Sequence, residues 1–208
     1  MRYPVNYVAI TNDYKKGSHN GLDLGWNSKN GGKNQPIFAS EDGKVIYKQT
    51  QTTGGKVIHI KHSNGYVTEY AHLDTWVVNK GDKVKMGQKI GTMGCSGKAS
   101  GNHLHYGVYK GTKINYNKPN WVNPKDYVYL TQDQKLSANT SKNYKLKSFP
   151  IKKVISSDGL NVRKSSSSLS KKVGFLPYGS EVEVIKTSGS WSKISYNKDE
   201  WVSSKYIK

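Results

Sequence analysis

Short runs of alternating apolar and polar residues recur along the whole chain, and pairs of Gly, Asn, Asp or Ser separate them. Alternation with a period of two predicts β-strands that are buried on one face, and the small residues between the runs predict tight turns. No window shows the 3.6-residue apolar period of an amphipathic helix. The pattern therefore predicts a mostly β protein with an antiparallel core, whose strands include Lys44–Tyr47, Val57–His62, Tyr66–Tyr70 and His103–Tyr109.

The composition changes over residues 131–150, where Ser, Thr, Asn, Gln and Lys replace the branched apolar residues. This composition is typical of a linker. We therefore predict a first domain over residues 1–130, a flexible linker over 131–150 and a small second domain over 151–208. All six histidines lie between His19 and His105, so any histidine chemistry belongs to the first domain.

The chain of 208 residues carries 33 Lys and Arg against 14 Asp and Glu, a formal net charge of +19. Of these cations 31 are lysines, spread along the chain, which predicts a diffuse attraction to a polyanion. An anionic cell wall, a membrane surface and a nucleic acid fit this charge equally well. Recognition of nucleic acid favours clustered arginine, aromatic motifs or a recognition helix, and since the sequence shows none of these, we expect no nucleic-acid partner.

Three further features narrow the class of protein. No apolar run approaches the roughly 18 residues of a membrane span, so we expect no transmembrane segment. The start of the chain lacks a basic, then apolar, signal sequence, so we expect synthesis in the cytoplasm and release by another route. The single cysteine, Cys95, excludes an internal disulfide and a cysteine-cluster zinc site.

Two short motifs carry candidate metal ligands. His19 and Asp23 are four residues apart, and His103 and His105 are two apart, so each pair shares one face of an extended strand. If the two strands are neighbours, three of these groups converge on one ion and leave a fourth position for water. That open coordination is typical of a catalytic zinc site.

At these residues the sequence resembles the lysostaphin-like M23 zinc metallopeptidases, which cut peptidoglycan cross-links. The resemblance covers about residues 1–130 and rests on elements in the family's order. They are an HxGxD motif at His19–Asp23, a strand ending in YxHL at Tyr70–Leu73, a glycine-punctuated segment at Lys80–Gly94, HLH at His103–His105 and a VNP element at Val122–Pro124.

The resemblance implies a role for each of five residues. His19, Asp23 and His105 would bind Zn²⁺, His103 would be the general base or acid, and His72 would stand beside it and stabilise the oxyanion. Two histidines lie outside this set: we expect His62 to be structural and His59 to be exposed.

Residues 151–208 resemble a bacterial SH3 (SH3b) module. The elements that match are LNVR at Leu160–Arg163, a glycine turn at Gly179, Trp191–Ile194 and Trp201–Ile207. The resemblance implies a small SH3-like β-barrel that anchors an enzyme on the cell wall and raises its local concentration there. For the aromatic residues Trp191, Trp201, Tyr178 and Tyr206, core packing and ligand contact both remain open.

Together these features predict a peptidoglycan hydrolase that cleaves stem or cross-bridge peptide bonds of Gram-positive-type walls. We expect a monomer that binds peptidoglycan and the anionic wall surface, and the layout resembles a bacteriophage endolysin released through a holin pore. The alternatives are a secreted autolysin or bacteriocin, a non-enzymatic wall-binding or regulatory protein, and a cysteine amidase that uses Cys95.

Overall fold

The structure is a computed structural model, and it describes residues 1–25, 34–131, 134–137, 140, 149–195 and 199–208. The chain divides into two compact units, Met1–Lys147 and Ser148–Lys208. Almost all regular elements are strands, which confirms the predicted mostly β class. Within the described residues, no helix has the length and apolar character needed to span a membrane.

Within the described residues, the first unit contains one large ten-stranded sheet and a separate two-stranded sheet. Its strands are β1 (Tyr7–Val8), β2 (Ile10–Asn12), β3 (Leu22–Gly25), β4 (Pro36–Phe38), β5 (Gly43–Gln51), β6 (Gly55–His62), β7 (Tyr66–Trp76), β8 (Lys83–Val84), β9 (Lys89–Met93), β10 (His103–Lys110), β11 (Trp121–Val122) and β12 (Lys135–Leu136), with a 3₁₀ turn at Pro124–Asp126. The central strands β5, β6, β7 and β10 contain the four predicted runs and extend beyond them.

The order of the central sheet is β2-β3-β10-β7-β6-β5-β8, with β11 beside β10 and β9 beside β7. Its neighbouring strands are antiparallel, and β10 lies between β3 and β7. In this register His105 is opposite both Asp23 on β3 and Ala71 on β7. Cross-strand partners share a face of the sheet, so the sheet itself brings the two sequence motifs together.

Alternation along the strands places the core of the first unit on one face of the sheet and the histidines on the other. Leu104, Tyr106 and Val108 of β10 are fully buried in the core, as is Tyr70 of β7. The residues between them project from the other face, where His103 and His105 lie. The hydrophobic pattern that buries one face thus orients the histidines on the opposite one.

Part of the segment predicted as a linker packs on the first unit. Lys135–Leu136 form β12, which pairs in parallel with β1. The side chain of Gln134 is buried and donates to the carbonyl oxygen of Tyr3 at 2.7 Å. The hydroxyl of Thr140, also buried, accepts from the amide of Ile10 at 2.9 Å. The domain limits 1–130, 131–150 and 151–208 stay predictions.

The second unit contains two antiparallel sheets. Its strands are β13 (Ile151–Lys153), β14 (Leu160–Arg163), β15 (Lys172–Leu176), β16 (Glu181–Glu183), β17 (Lys186–Ser188), β18 (Trp191–Lys193) and β19 (Trp201–Ser203), with a 3₁₀ turn at Ser204–Tyr206. Strands β13 and β16 pair with each other, and the order of the larger sheet is β15-β14-β19-β18-β17. Its core is a small aliphatic cluster that includes Val154, Leu160, Val182 and Val202.

Candidate metal centre

Three side chains of the first unit meet on the open face of the sheet. Oδ1 of Asp23 lies 3.0 Å from Nε2 of His19 and 2.9 Å from Nδ1 of His105. Each of the three side chains is about one-sixth exposed, so solvent reaches the group. In the described part of the chain, this is the one group of three His, Cys, Asp or Glu side chains spaced to hold a metal ion.

The backbone positions these donors in two ways. Asp23 and His105 are cross-strand partners on β3 and β10, so the two strands that carry the motifs are neighbours. His19 is not on the strand of Asp23, which corrects our expectation that the two share a strand face. It follows a turn at Gly17, whose φ is +85°, and bridges back to Lys15. The turn, rather than strand alternation, therefore brings the His19 ring to Asp23.

The hydrogen bonds of His19 point to a cation at this centre. Its Nδ1 donates to the carbonyl oxygen of Asp13 at 2.7 Å, so in the neutral ring Nε2 carries a lone pair. That lone pair faces Oδ1 of Asp23, a second acceptor, at 3.0 Å. Two acceptors at this distance need a positive charge between them, which either a second proton or a metal ion supplies.

The charge of Asp23 is favoured by its neighbours. Burial raises the pKa of the Asp23 carboxyl, but the hydrogen bond and charge of His105, with the charges of His19 and His103, outweigh burial and hold this pKa well below its usual range. The other carboxylate oxygen, Oδ2, accepts from the side-chain amide of Asn12 at 3.2 Å. Two imidazole nitrogens and an ionised carboxylate are a donor set that zinc uses in proteins.

Two further histidines stand beside the three donors. Nδ1 of His103 donates to the carbonyl oxygen of Gly101 at 2.9 Å, and its Nε2 lies 3.8 Å from Oδ1 of Asp23. The rings of His103 and His72 are 4.7 Å apart. In this structure the five residues that the sequence singled out thus lie on one face of the sheet.

His72 is held in an unusual conformation. Its φ is +60°, in the left-handed region that a side chain disfavours, and its Nδ1 donates to the carbonyl oxygen of Ser96 at 2.8 Å. Burial lowers the pKa of His72, which favours the neutral ring. In that ring Nε2 is an acceptor. Backbone strain of this kind persists where the surrounding structure fixes it, and it is concentrated at functional sites.

A polar cluster that was not predicted from the sequence lies on the same sheet face. Nε2 of His59 on β6 lies 2.9 Å from Oε2 of its cross-strand partner Glu69 on β7, and the hydroxyl of Tyr116 also donates to Glu69. The ring of Tyr47 stacks on His59, with centroids 4.4 Å apart. Glu69 is in turn the cross-strand partner of Gly107, two residues after His105.

This cluster corrects the expectation that His59 is exposed, because the structure buries it. The expectation failed because Tyr116, from a loop far along the chain, closes over the strand. The signal in the sequence was a glutamate in the middle of the short strand-forming run Tyr66–Tyr70. Burial raises the pKa of Glu69, but the hydrogen bond and charge of His59 outweigh it and lower that pKa.

His62 lies on the core face of β6, on the opposite side from the candidate metal donors. It is buried, its Nδ1 donates to the carbonyl oxygen of Asp42 at 3.0 Å, and its Nε2 lies 2.8 Å from the hydroxyl of Thr68. Burial lowers the pKa of His62 to about 4. These contacts give His62 a structural place in the core.

Both units match known families. A model described as "Peptidase family M23" matches residues 17–123, just over half of the chain, and one described as "Bacterial SH3 domain" matches residues 158–208. The murein hydrolase activator NlpD of Escherichia coli (strain K12) is 41% identical over 117 residues, which are 55% of this chain and 29% of that protein. The peptidoglycan DD-endopeptidase ShyC of Vibrio cholerae is 45% identical over 71 residues, 34% of this chain and 16% of that protein.

The chain thus spans less than a third of the length of these two relatives. Among solved structures, the catalytic domain of the antimicrobial peptidase lysostaphin from Staphylococcus simulans aligns with 26% identity. That alignment covers 61% of this chain and 88% of that one, with a TM-score of 0.48.

Proposed function

This chain belongs to peptidase family M23, and on that basis we propose that it is a zinc-dependent endopeptidase of peptidoglycan. In this proposal residues 1–130 are the enzyme, 131–150 the linker and 151–208 the wall-binding module. The observation that carries the proposal is the meeting of His19, Asp23 and His105 at one point of the sheet, with His103 and His72 beside them.

His19 would bind zinc through Nε2, His105 through Nδ1 and Asp23 through a carboxylate oxygen. Zinc at this point would supply a Lewis acid that lowers the pKa of water towards about 7 and polarises the scissile carbonyl. Three protein donors leave the centre open to a water molecule and a substrate. The carbonyl oxygen of Asp13 fixes the ring of His19, an outer contact of the kind that orients metal ligands.

His103 accepts a proton from the attacking water at Nε2, because its Nδ1 is already committed to the carbonyl oxygen of Gly101. The same geometry applies to His72, whose Nδ1 is committed to Ser96. Its Nε2 therefore stabilises a developing oxyanion only when the ring carries a second proton. The two rings are close enough to act on the same substrate carbonyl from one side of the centre.

The experiment compares lysis and metal content in three proteins: wild type, His105→Ala and Cys95→Ser. Purified peptidoglycan is the substrate, and zinc is measured by elemental analysis after dialysis. We expect His105→Ala to lose both zinc and lysis, since one of three donors is gone, and Cys95→Ser to keep both. Lysis that survives in zinc-free His105→Ala and disappears in Cys95→Ser would overturn the zinc mechanism in favour of a cysteine amidase.

A second candidate function is activation of another hydrolase, because NlpD, which is similar to this chain over 117 residues, is named a murein hydrolase activator. The same preparations distinguish it. An activator would leave purified peptidoglycan intact, and it would accelerate an added hydrolase equally well as wild type and as His105→Ala. The presence of all three candidate metal donors, His19, Asp23 and His105, favours the enzyme over the activator.

We propose further that the protein acts as a monomer on Gram-positive-type walls, in the manner of a bacteriophage endolysin after its release from the cytoplasm. The support is the pairing of a peptidase with an SH3 module and the excess of positive charge, which suits an anionic wall. Light scattering should give one chain per particle. Intact Gram-positive cells should lyse at protein concentrations that spare Gram-negative cells with a permeabilised outer membrane, and the reverse order would contradict the proposal.

A further inference from the structure

The strand beside Asp23 is interrupted by a β-bulge. On β2, Ile10 is opposite Leu24 of β3. The register then shifts, so that Asn12 rather than Thr11 is opposite Asp23. A bulge disrupts the ladder locally and redirects a side chain, and bulges are frequent beside active sites. This bulge therefore decides which side chain of β2 meets the Asp23 carboxylate.

The two residues of the bulge hold different parts of Asp23. The side-chain amide of Asn12 donates to Oδ2 of Asp23 at 3.2 Å. The hydroxyl of Thr11 donates to the backbone carbonyl oxygen of Asp23 at 3.1 Å. Both the backbone and the carboxylate of this candidate ligand are thus fixed by one strand at the edge of the sheet.

The contact of Asn12 distinguishes the two carboxylate oxygens of Asp23. Oδ1 lies 3.0 Å from the ring of His19 and 2.9 Å from the ring of His105, whereas Oδ2 accepts from Asn12. A carboxylate binds a metal ion through one oxygen or through both. An amide that donates to Oδ2 competes with the second mode and favours binding through Oδ1 alone. Outer hydrogen bonds of this kind orient metal ligands.

Two residues from the segment predicted as a linker, Ser137 and Thr140, hold β2 in place, and we call them the strap. The amide of Ser137 donates to the carbonyl oxygen of Val8 at 3.0 Å. The hydroxyl of Thr140, which is fully buried, accepts from the amide of Ile10 at 2.9 Å and from the hydroxyl of Ser137 at 2.8 Å. Ile10 is two residues before Asn12, so the strap anchors the strand just before the bulge.

We propose that Asn12 is a positioning residue of the metal centre. It holds Oδ2 of Asp23 so that Oδ1 alone meets the ion, and the strap keeps Asn12 in that place by fixing β2. The inference rests on the proposed function, because it takes the ion to be zinc. It goes beyond that function by assigning a role to a residue outside the donor set and to part of the segment that was predicted as a linker.

The test measures the zinc affinity of the full-length chain by competition with a chromophoric chelator. The variants are Asn12→Ala, Thr140→Val, Thr140→Ser and the double variant of Asn12→Ala with Thr140→Val. Asn79→Ala is the matched control, because its exposed side-chain amide also bonds to a charged side chain, the ammonium of Lys48, at 2.9 Å. Lys48 lies on β5, which three strands separate from β3. Urea unfolding of the metal-free proteins records how far each variant is destabilised.

We expect Asn12→Ala to bind zinc about tenfold more weakly than the wild type, at the lower end of the effect of removing an outer contact, because this amide is exposed. Asn79→Ala should bind zinc like the wild type. Thr140→Val should weaken zinc binding by a smaller factor, and Thr140→Ser, which keeps the hydroxyl, should not. The effect of Thr140→Val should vanish when residue 12 is already alanine, since the strap acts through Asn12.

Cobalt(II) in place of zinc gives a second measurement, which a general loss of stability does not change. The visible absorption of protein-bound cobalt(II) reports its coordination geometry and weakens as the number of ligands rises. Asn12→Ala frees Oδ2 of Asp23 to become a further ligand. Its cobalt form should therefore absorb less per bound ion than the wild type and than Asn79→Ala.

Equal zinc affinity of Asn12→Ala and Asn79→Ala would overturn the proposal. So would an unchanged cobalt spectrum in Asn12→Ala, or an effect of Thr140→Val that is as large with alanine at residue 12 as with asparagine. A wild type that binds no zinc would overturn the proposed function, and this inference with it. The two failures are distinguishable, because the first is a ratio between variants and the second is a property of the wild type.

Discussion

Replacing Gly21 by alanine should disturb the candidate metal centre by steric overlap alone. The φ of Gly21 is not in the left-handed region, so a side chain meets no conformational penalty there. A Cβ at this position would lie 2.6 Å from the carbonyl oxygen of Tyr106 and 2.8 Å from Nε2 of the His105 ring. Ordinary van der Waals contact begins near 3.4 Å, so one or both neighbours must move by more than half an ångström.

The size of the effect follows from which neighbour can move. The backbone of Tyr106 is fixed by pairing on both sides, to β3 and to β7, so the ring of His105 takes most of the displacement. Metal sites tolerate about 0.2 Å in ligand distance. Disturbing the orientation of a ligand typically costs about 10- to 100-fold in metal affinity. We expect Gly21→Ala to bind zinc more weakly by that factor, with about 1 to 3 kcal/mol lost from the free energy of unfolding.

The assay is competition for zinc against a chromophoric chelator, with urea unfolding of the metal-free protein alongside. Gly101→Ala is the matched control. It makes the same change near the centre, but its Cβ meets nothing within 4 Å, so its zinc affinity should equal that of the wild type. Zinc affinity of Gly21→Ala within about twofold of the control would refute the reasoning, because the His105 ring would then not be a metal ligand in this geometry.

Two further predictions concern the buried polar groups of the first unit. Burial lowers the pKa of His62 from 6.5 to about 4, so between these pH values the unfolded chain binds more protons than the folded one. The free energy of unfolding therefore falls as pH falls, by about 3 kcal/mol in all. Urea unfolding from pH 7 to pH 4 should show a smaller fall in His62→Gln than in the wild type, and equal falls would contradict this. Tyr116→Phe removes a hydrogen bond to the buried Glu69 carboxylate and should lower the free energy of unfolding by about 1.5 to 3 kcal/mol. The control Tyr109→Phe removes a hydrogen bond to the neutral carbonyl oxygen of Lys118 and should lower it by about 0.5 to 1.5 kcal/mol. Equal losses in the two tyrosine variants would show that the charge of Glu69 adds nothing to its hydrogen bond with Tyr116.

The parts of the structure that follow from residue order were predictable. Alternation fixed the strands at β5, β6, β7 and β10, and a spacing of two placed His103 and His105 on one face. These are local properties of an extended chain, so they survive folding unchanged. The spacing of four between His19 and Asp23 predicted that the two side chains lie together, as they do at 3.0 Å, but it predicted the wrong backbone geometry, because Gly17 turns the chain before β3 begins.

The buried cluster around His59 was not predictable in the same way. Its burial depends on Tyr116, 57 positions later, and on the register that sets His59 opposite Glu69. Neither the loop's path nor the register is encoded in the local alternation. The aromatic residues of the second unit pose the same difficulty, since alternation shows that Trp191 occupies one face of β18 but not which face the core takes.

The histidines of the centre also depend on groups that have no signature in the sequence. Carbonyl oxygens of Asp13, Ser96 and Gly101 each accept a hydrogen bond from Nδ1 of a histidine ring, at 2.7, 2.8 and 2.9 Å. Every residue has a backbone carbonyl, so these three differ from the others only in that a turn orients them towards a histidine ring. At Ser96 the aim depends on Gly55, where a Cβ would lie 2.3 Å from the Ser96 backbone. The glycines around the site therefore contribute to its geometry by letting backbone segments approach the histidine rings. This is why motif spacing predicts the candidate donors but not the tautomers that would let them bind a metal.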